Sequence, residues 1–297
     1  MTRILGGGEL SAAIRADVTA RAGALRGSGV QPKLAVVTAT DDESTAWYVR
    51  SIAKAAIRTG IECQIVDLGA TAGEGDVLSA LVELSADPDV HGIILQTPLP
   101  EGVDVTSLRT AITPDKDVDG ANPLSLGRLL ANQPAFAPAT AAAVMALLDH
   151  HEVPLRGRVA SVVGRSVVVG TPVAHLLVQR DATVTVCHHH TVDLAASTRN
   201  AEIVVVAVGV PGLVTAEHVA DGAIVVDVGT TATDDGTLLG DVDAASVEGR
   251  AGGLTPVPGG VGPVTTALLL ANTVTAATAL STTTHHDAGV LVGAVAR

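Results

Sequence analysis

The segment Gly164-Arg165-Ser166-Val167-Val168-Val169-Gly170 is bounded by glycines and stands between a β-branched run and a stretch with helical spacing. A glycine turn at such a junction lets backbone N–H groups and a helix N-terminus approach a diphosphate. The pattern also fits a plain tight turn, because it departs from the dinucleotide G-x-G-x-x-G spacing. The end of the next run narrows the chemistry. NAD-binding units carry an Asp or Glu there for the ribose 2′-hydroxyl, whereas this chain reads Cys187-His188-His189-His190-Thr191. Without that carboxylate, and with Arg165 in the turn, a 2′-phosphate matches better, which favours NADP over NAD. The cofactor candidates are Gly164, Arg165, Ser166, Val169 and Gly170, with His188 and His189 as a polar lip beside the adenosine phosphate. Val208, Gly209 and Thr231 complete the set.

Three consecutive histidines also raise the question of a metal. Successive residues at a strand end point to alternating sides, so the three converge poorly on one ion. No Cys or carboxylate is spaced to finish a ligand set, so no metal is expected, and solvated surface histidines are the plain alternative. Ser166 and Thr140 fit turn or cap hydroxyls equally well.

The elements that must position these residues fall into two α/β halves. In the first, residues 34–38, 61–66 and 92–96 read as short buried strands, separated by helical stretches over 45–59 and 75–84. Such alternation implies crossover units and a mainly parallel sheet. Residues 113–122, with Pro114, Gly120 and an acidic cluster, read as a loop. In the second half, residues 158–163, 182–186, 203–207 and 223–228 read as strands, and 172–179 and 267–280 as helices. This is the order of a doubly wound dinucleotide-binding unit. The tail from Ser281, with Thr282–Thr284 and His285–His286, reads as loose.

Composition bounds the rest. The chain has 297 residues, about two domains' worth, and its 47% apolar content excludes a disordered chain. A formal net charge of −13 argues against nucleic acid as the main partner. Trp47, Tyr48 and Phe136 are the only aromatics, so the core must be built from Ala, Val, Leu and Ile. Cys63 and Cys187 are too few for a disulfide framework and suit a reducing compartment. Every apolar run reads as too short for a membrane span and no signal peptide is visible, so a soluble, cytoplasmic protein is expected.

Four stretches then occur in a telling order: Gly92-Ile93-Ile94-Leu95-Gln96-Thr97-Pro98-Leu99-Pro100, Lys116-Asp117-Val118-Asp119-Gly120, the turn over 164–172, and Thr255-Pro256-Val257-Pro258-Gly259-Gly260-Val261-Gly262-Pro263-Val264-Thr265. Together they resemble the methylenetetrahydrofolate dehydrogenase/methenyltetrahydrofolate cyclohydrolase family, from about residue 34 to 272. The resemblance implies an N-terminal folate-type catalytic domain over 1–140, completed by a C-terminal helix over 265–297. It also implies a Rossmann NADP-binding domain over 141–264, a cleft between the two domains, and a homodimer. The family's pterin-stacking Tyr falls on Tyr48, the Gln that orients its catalytic Lys on Gln96, and its pterin-holding Asp on Asp119. The backbone near Pro258 and Gly259 would line the folate cleft. Plain packing for Tyr48, a strand-end hydrogen bond for Gln96 and a turn cap for Asp119 are the alternatives.

The family's catalytic Lys falls on Ile52. Tyr48 and Ile52 are four apart and share a helix face, so Ile52 is expected to face the site. Arg50 and Lys54 lie roughly 200° round the helix from it, so neither replaces the missing ammonium. Hydride transfer to NADP+ removes no proton from the substrate, whereas hydrolysis of the methenyl cation needs general acid–base help. Dehydrogenation is therefore expected to persist and cyclohydrolysis to be lost or severely slowed. Departures at Ser44-Thr45, Ala121-Asn122 and 139–143 leave open a same-fold oxidoreductase acting on another cyclic amine or iminium. A non-catalytic folate or nucleotide binder is the third reading.

Overall fold

The computed structural model describes residues 1–233 and 236–292, with side chains through residue 282. The chain divides into two compact units, Met1–Ala13 with Ala137–Leu268, and Ile14–Phe136 with Leu269–Arg297. The first helix and the last helix each contribute residues to both.

The unit built mainly from the N-terminal half holds a three-stranded parallel sheet. In chain order its elements are α1 (Gly8–Gly27), β2 (Lys33–Thr38), α2 (Glu43–Arg58), β3 (Glu62–Asp67), α3 (Glu74–Ala86), β4 (Gly92–Leu95), α4 (Val105–Arg109) and α5 (Pro123–Leu130). The strand preceding them, β1, is Arg3–Ile4. The sheet order is β3-β2-β4. Residues 34–37 of β2 and all of β4 are buried, as a parallel sheet covered on both faces requires. Val37, Ile93 and Leu95 pack there against Val77, Leu81 and Leu84 of α3.

The other unit begins with β1 and continues with α6 (Ala139–His150), β5 (Val159–Val163), α7 (Gly170–Gln179), β6 (Thr183–Cys187), α8 (Leu194–Thr198), β7 (Ile203–Val206) and β8 (Ile224–Asp227). A hairpin of β9 (Thr231–Ala232) and β10 (Leu238–Leu239) follows, then α9 (Ala244–Val247), β11 (Gly253–Leu254) and α10 (Val261–Val292). Six parallel strands lie in the order β1-β11-β8-β7-β5-β6. The chain steps outward from β5 to β6 and then returns to the other side at β7, so the strand order reverses at β5. Ligands of open α/β sheets bind outside the carboxyl ends of the strands at such a point.

Four features differ from the sequence reading. The strand expected to be buried over 61–66 is β3, an edge strand with no buried residue, because only one of its sides has a neighbouring strand. Residues 1–13 group with the C-terminal unit rather than with the first half, because β1 pairs in parallel with β11, Arg3 opposite Gly253. The backbone from Ser281 to Val292 is helical, not loose; no Pro interrupts it, and the Thr278 and Thr282 hydroxyls donate back to carbonyls of the preceding turn. The side chains of Thr283, Thr284, His285 and His286 and all of residues 293–297 lie outside the described residues. The same helix also contradicts the judgement that every apolar run is short. Val261–Thr282 is long and apolar enough to cross a membrane by length and composition, with 50% of its apolar window buried inside the protein.

Candidate active site

Helix α2 is set by its first turn. Asp42 caps it, its carboxylate accepting from the Thr45 N–H at 2.7 Å and from the hydroxyls of Ser44 and Thr45 at 2.6 Å each. The Ser44 hydroxyl and then the Thr45 groups hold the Asp42 carboxyl down at about 2. Along α2, Thr45, Val49, Ile52, Ala53 and Ala56 form the buried stripe. Tyr48 is half-buried beside it. Ile52 is 0% exposed, its side chain enclosed by the protein. An apolar side chain at this position completes the helix's inner stripe. Arg50 and Lys54 are exposed, and together with Trp47 they line a groove on the other side of the helix.

Gln96 follows β4 directly, its N–H donating to the Val37 carbonyl. Its side-chain Nε2 donates to the Thr97 carbonyl at 2.8 Å, the backbone partner that a Gln without a nearby ammonium needs. The Thr97–Pro98 peptide is cis. The loop carrying Asp119 is fastened to the same strand by a bridge between Ile93 and Asp117. Asn272 of α10 donates to the Val118 carbonyl at 2.8 Å, and Gly92 leaves room for Val118 and Thr273, which a Cβ would strike.

Within this loop Lys116, Asp117 and Asn122 have separate tasks. Lys116 is buried, and its Nζ donates to the carbonyls of Ser85 and Asp87 at 2.9 and 2.6 Å and more weakly to Leu84, closing the end of α3. Asp117 accepts the N–H groups of Ala121 and Asn122, and burial pushes its carboxyl up. Asn122 caps α5 through the Leu124 N–H while its amide donates to Ile112 and Arg109. The Asp119 carboxylate takes no part in this scaffolding. Desolvation, with the neighbouring Asp117 charge adding to it and Arg109 opposing it, lifts Asp119 to about 7. Parallel β2 and β4 bring Gln96 and the entry to α2 to one end of their sheet.

In the other unit, Gly164 follows β5 at φ +118°. A Cβ on Gly164 would collide with the Ala207 carbonyl beyond β7, and one on Gly170 with the Gly164 carbonyl. The turn therefore sits directly against the strand-order reversal. Ser166 serves as a cap: its Oγ accepts from the Val169 N–H at 3.2 Å and the Gly170 N–H at 3.4 Å. The Gly164 N–H donates to the Cys187 carbonyl at 2.9 Å, so the exposed Arg165 and the His188–Thr191 turn share one edge of the sheet. That turn is closed by the His188 N–H donating to Thr191 Oγ1 and the His190 N–H to His188 Nδ1. This cation-bearing edge and glycine cradle fit a dinucleotide with a 2′-phosphate. Thr231 lies in the short hairpin after β8, and Pro258 and Gly259 belong to this unit, with the Gly259 carbonyl accepting from the Gly7 N–H.

The sequence reading passed over Asp227 and Asp241. Asp241 is 0% exposed, and its Oδ2 accepts the N–H groups of Val208 and Gly209. Asp227 accepts from Gly229, Asp241 and Val242, and burial first, then the Asp241 charge, raises it to about 6. The available signal was the glycine at 229 and at 240, since a Cβ at either would run into one of these carboxyls.

Comparison with known proteins decides the family. The tetrahydrofolate dehydrogenase/cyclohydrolase catalytic-domain model matches residues 5–119, and the NAD(P)-binding-domain model of the same family matches residues 138–281. The chain belongs to the tetrahydrofolate dehydrogenase/cyclohydrolase family. The bifunctional protein FolD 1 of Rhodococcus jostii is 73% identical over 277 residues, covering 93% of each chain. The crystal structure of the bifunctional FolD enzyme from Campylobacter jejuni superposes with a TM-score of 0.90 at 38% identity, covering 94% of this chain and 99% of that one. The Trypanosoma brucei FolD structure, complexed with NADP cofactor and inhibitor, gives 0.89 at 37% identity over 93% and 97% of the two chains. As a family member the chain is an enzyme of α/β fold with a catalytic and an NAD(P)-binding domain.

Proposed function

We propose that the chain is an NADP-dependent 5,10-methylenetetrahydrofolate dehydrogenase whose methenyl cyclohydrolase step is lost or strongly slowed. The carrying observation is Ile52, enclosed in α2 at the position where the family's catalytic Lys falls, while Arg50 and Lys54 turn to the opposite side of the helix. In this reading Tyr48 stacks on the pterin, Asp119 hydrogen-bonds it, and Gln96 lies beside the reacting carbon. The backbone near Pro258 and Gly259 completes the folate contacts. Gly164, Ser166, Val169, Gly170, Val208, Gly209 and Thr231 hold the dinucleotide, and Arg165, His188 and His189 meet its 2′-phosphate. Bound NADP+ supplies a hydride acceptor. Hydride loss leaves a cation shared by the two folate nitrogens, so the chain's own residues need only bind and orient. Hydrolysis instead demands a water proton removed and a leaving nitrogen protonated, work worth about 10²–10⁴-fold that an Ile cannot do.

The reading extends to a homodimer, for which the family resemblance is the support, and to a cytoplasmic location, for which two free cysteines are consistent. Purified enzyme given methylenetetrahydrofolate should reduce NADP+ in clear preference to NAD+. Failure to reduce either cofactor would end the dehydrogenase reading.

A further inference from the structure

We propose that the groove between α1 and α2, on the far side of α2 from Ile52, binds a nucleoside polyphosphate. The groove has a volume of about 730 Å³ and is lined by Arg15 and Thr19 of α1 and by Trp47, Arg50, Lys54 and Arg58 of α2. Four of the chain's 18 Lys and Arg residues thus meet in one groove of a protein with net charge −13. Among the described residues no carboxylate lines it. None of the four cationic heads has an ion-pair or hydrogen-bond partner among the described residues, whereas Arg21, Arg158, Arg180 and Arg250 are paired with acids elsewhere.

Arg50, Lys54 and Arg58 repeat every four residues, so like charges repel along one helix face. The last of them is accounted for by the negative end of the helix dipole. Arg50 and Lys54 are mid-helix, and Arg15 comes from a different helix, so the dipole does not explain them. An anion does. The heads step along the groove at about 6 Å per four residues, a ladder suited to a chain of phosphates.

Trp47 begins the same face, three residues before Arg50, and is 64% exposed. A large aromatic ring left open beside unpaired cations is a stacking platform for a planar base. The order Trp47, Arg50, Lys54, Arg58 gives the ligand a direction, with the base at the start of α2 and the phosphates toward its end. Tyr48 and Ile52 do not line this groove, so it is separate from the folate position proposed above.

Trp47 is the only Trp in the chain, so intrinsic tryptophan fluorescence reports on this groove alone. The full-length protein is titrated with ATP, with inorganic tripolyphosphate, and with ATP in the presence of saturating NADP+. ATP should quench the emission saturably, with affinity falling as salt is raised. Tripolyphosphate should bind at least threefold more weakly, and NADP+ should not displace ATP. The Arg50→Gln/Lys54→Gln double variant should bind ATP at least tenfold more weakly while keeping its NADP+ affinity and dehydrogenase rate, which shows that it is folded. The proposal is overturned by an absent quench, by a quench the double variant retains, or by displacement with NADP+. Tripolyphosphate binding as tightly as ATP would overturn the stacking role of Trp47 and with it the nucleoside.

Discussion

The Asp241 carboxylate accepts the backbone N–H of Val208 at 2.7 Å, and the same oxygen takes the Gly209 N–H at 3.0 Å. A fully buried acid thereby fixes the segment that leaves β7 beside the glycine turn. The other Asp241 oxygen has no partner among the described residues, so the carboxylate is held for the sake of this one loop. Asp241→Asn keeps the volume and weakens the grip on both N–H groups. It should raise KM for NADP+ about tenfold, the equivalent of one charge-assisted hydrogen bond, with kcat changed less than threefold. Steady-state kinetics at varied NADP+ read this split directly, and a fall in kcat alone would remove Asp241 as a positioning residue.

Asp119 should make stability depend on pH. Its pKa rises from 3.8 to about 7 on folding, so the folded state binds the extra proton and stability falls as pH climbs through that window, levelling off above it. Asp227, raised to about 6 by burial, adds a slope of the same sign that ends earlier. In Asp119→Asn the upper part of the slope, between about pH 6 and 7, should vanish while the Asp227 part remains. Tm measured from pH 4 to 8 checks this; parallel curves for the two proteins would show that Asp119 ionises normally.

Lys116 is a structural cation despite standing in the most distinctive acidic motif of the chain. Its three carbonyl acceptors finish α3, and replacing it by Met leaves buried acceptors unpaired. Lys116→Met should cost about 2–3 kcal/mol in denaturant unfolding, with folate affinity little changed in the protein that remains folded.

How much of this was readable beforehand follows a physical line. The parallel strands announced themselves because β2, β4, β5 and β7 are dominated by apolar residues, and the turn from Gly164 to Gly170 because it is punctuated by glycine. β1 and β11 are two residues each, too short for any periodicity, and their pairing joins residues 250 apart. Helix α1 went unread because its Ala- and Gly-rich sequence has little apolar contrast between faces. Ile52 could be placed on the Tyr48 face by spacing, but spacing does not say whether that face is covered. The roles of Lys116, Asp227 and Asp241 arise only when carbonyls and N–H groups distant in sequence converge on them.

Ile52→Lys offers a gain-of-function test. If the folate pose is retained, an ammonium at this position should raise methenyltetrahydrofolate hydrolysis at least tenfold, within the range of general acid–base help. It should also lower Tm, because the site that encloses Ile52 must accept a charge. Loss of stability with no gain in hydrolysis would mean that the substrate sits elsewhere or is not a folate.

The most direct measurement follows both products in one reaction of the unaltered enzyme with methylenetetrahydrofolate and NADP+. NADPH should form while methenyltetrahydrofolate accumulates, disappearing no faster than it does in enzyme-free buffer. Rapid NADPH formation with immediate ring opening to formyltetrahydrofolate would contradict the assignment, since some other group would then be doing the acid–base work that Ile52 cannot.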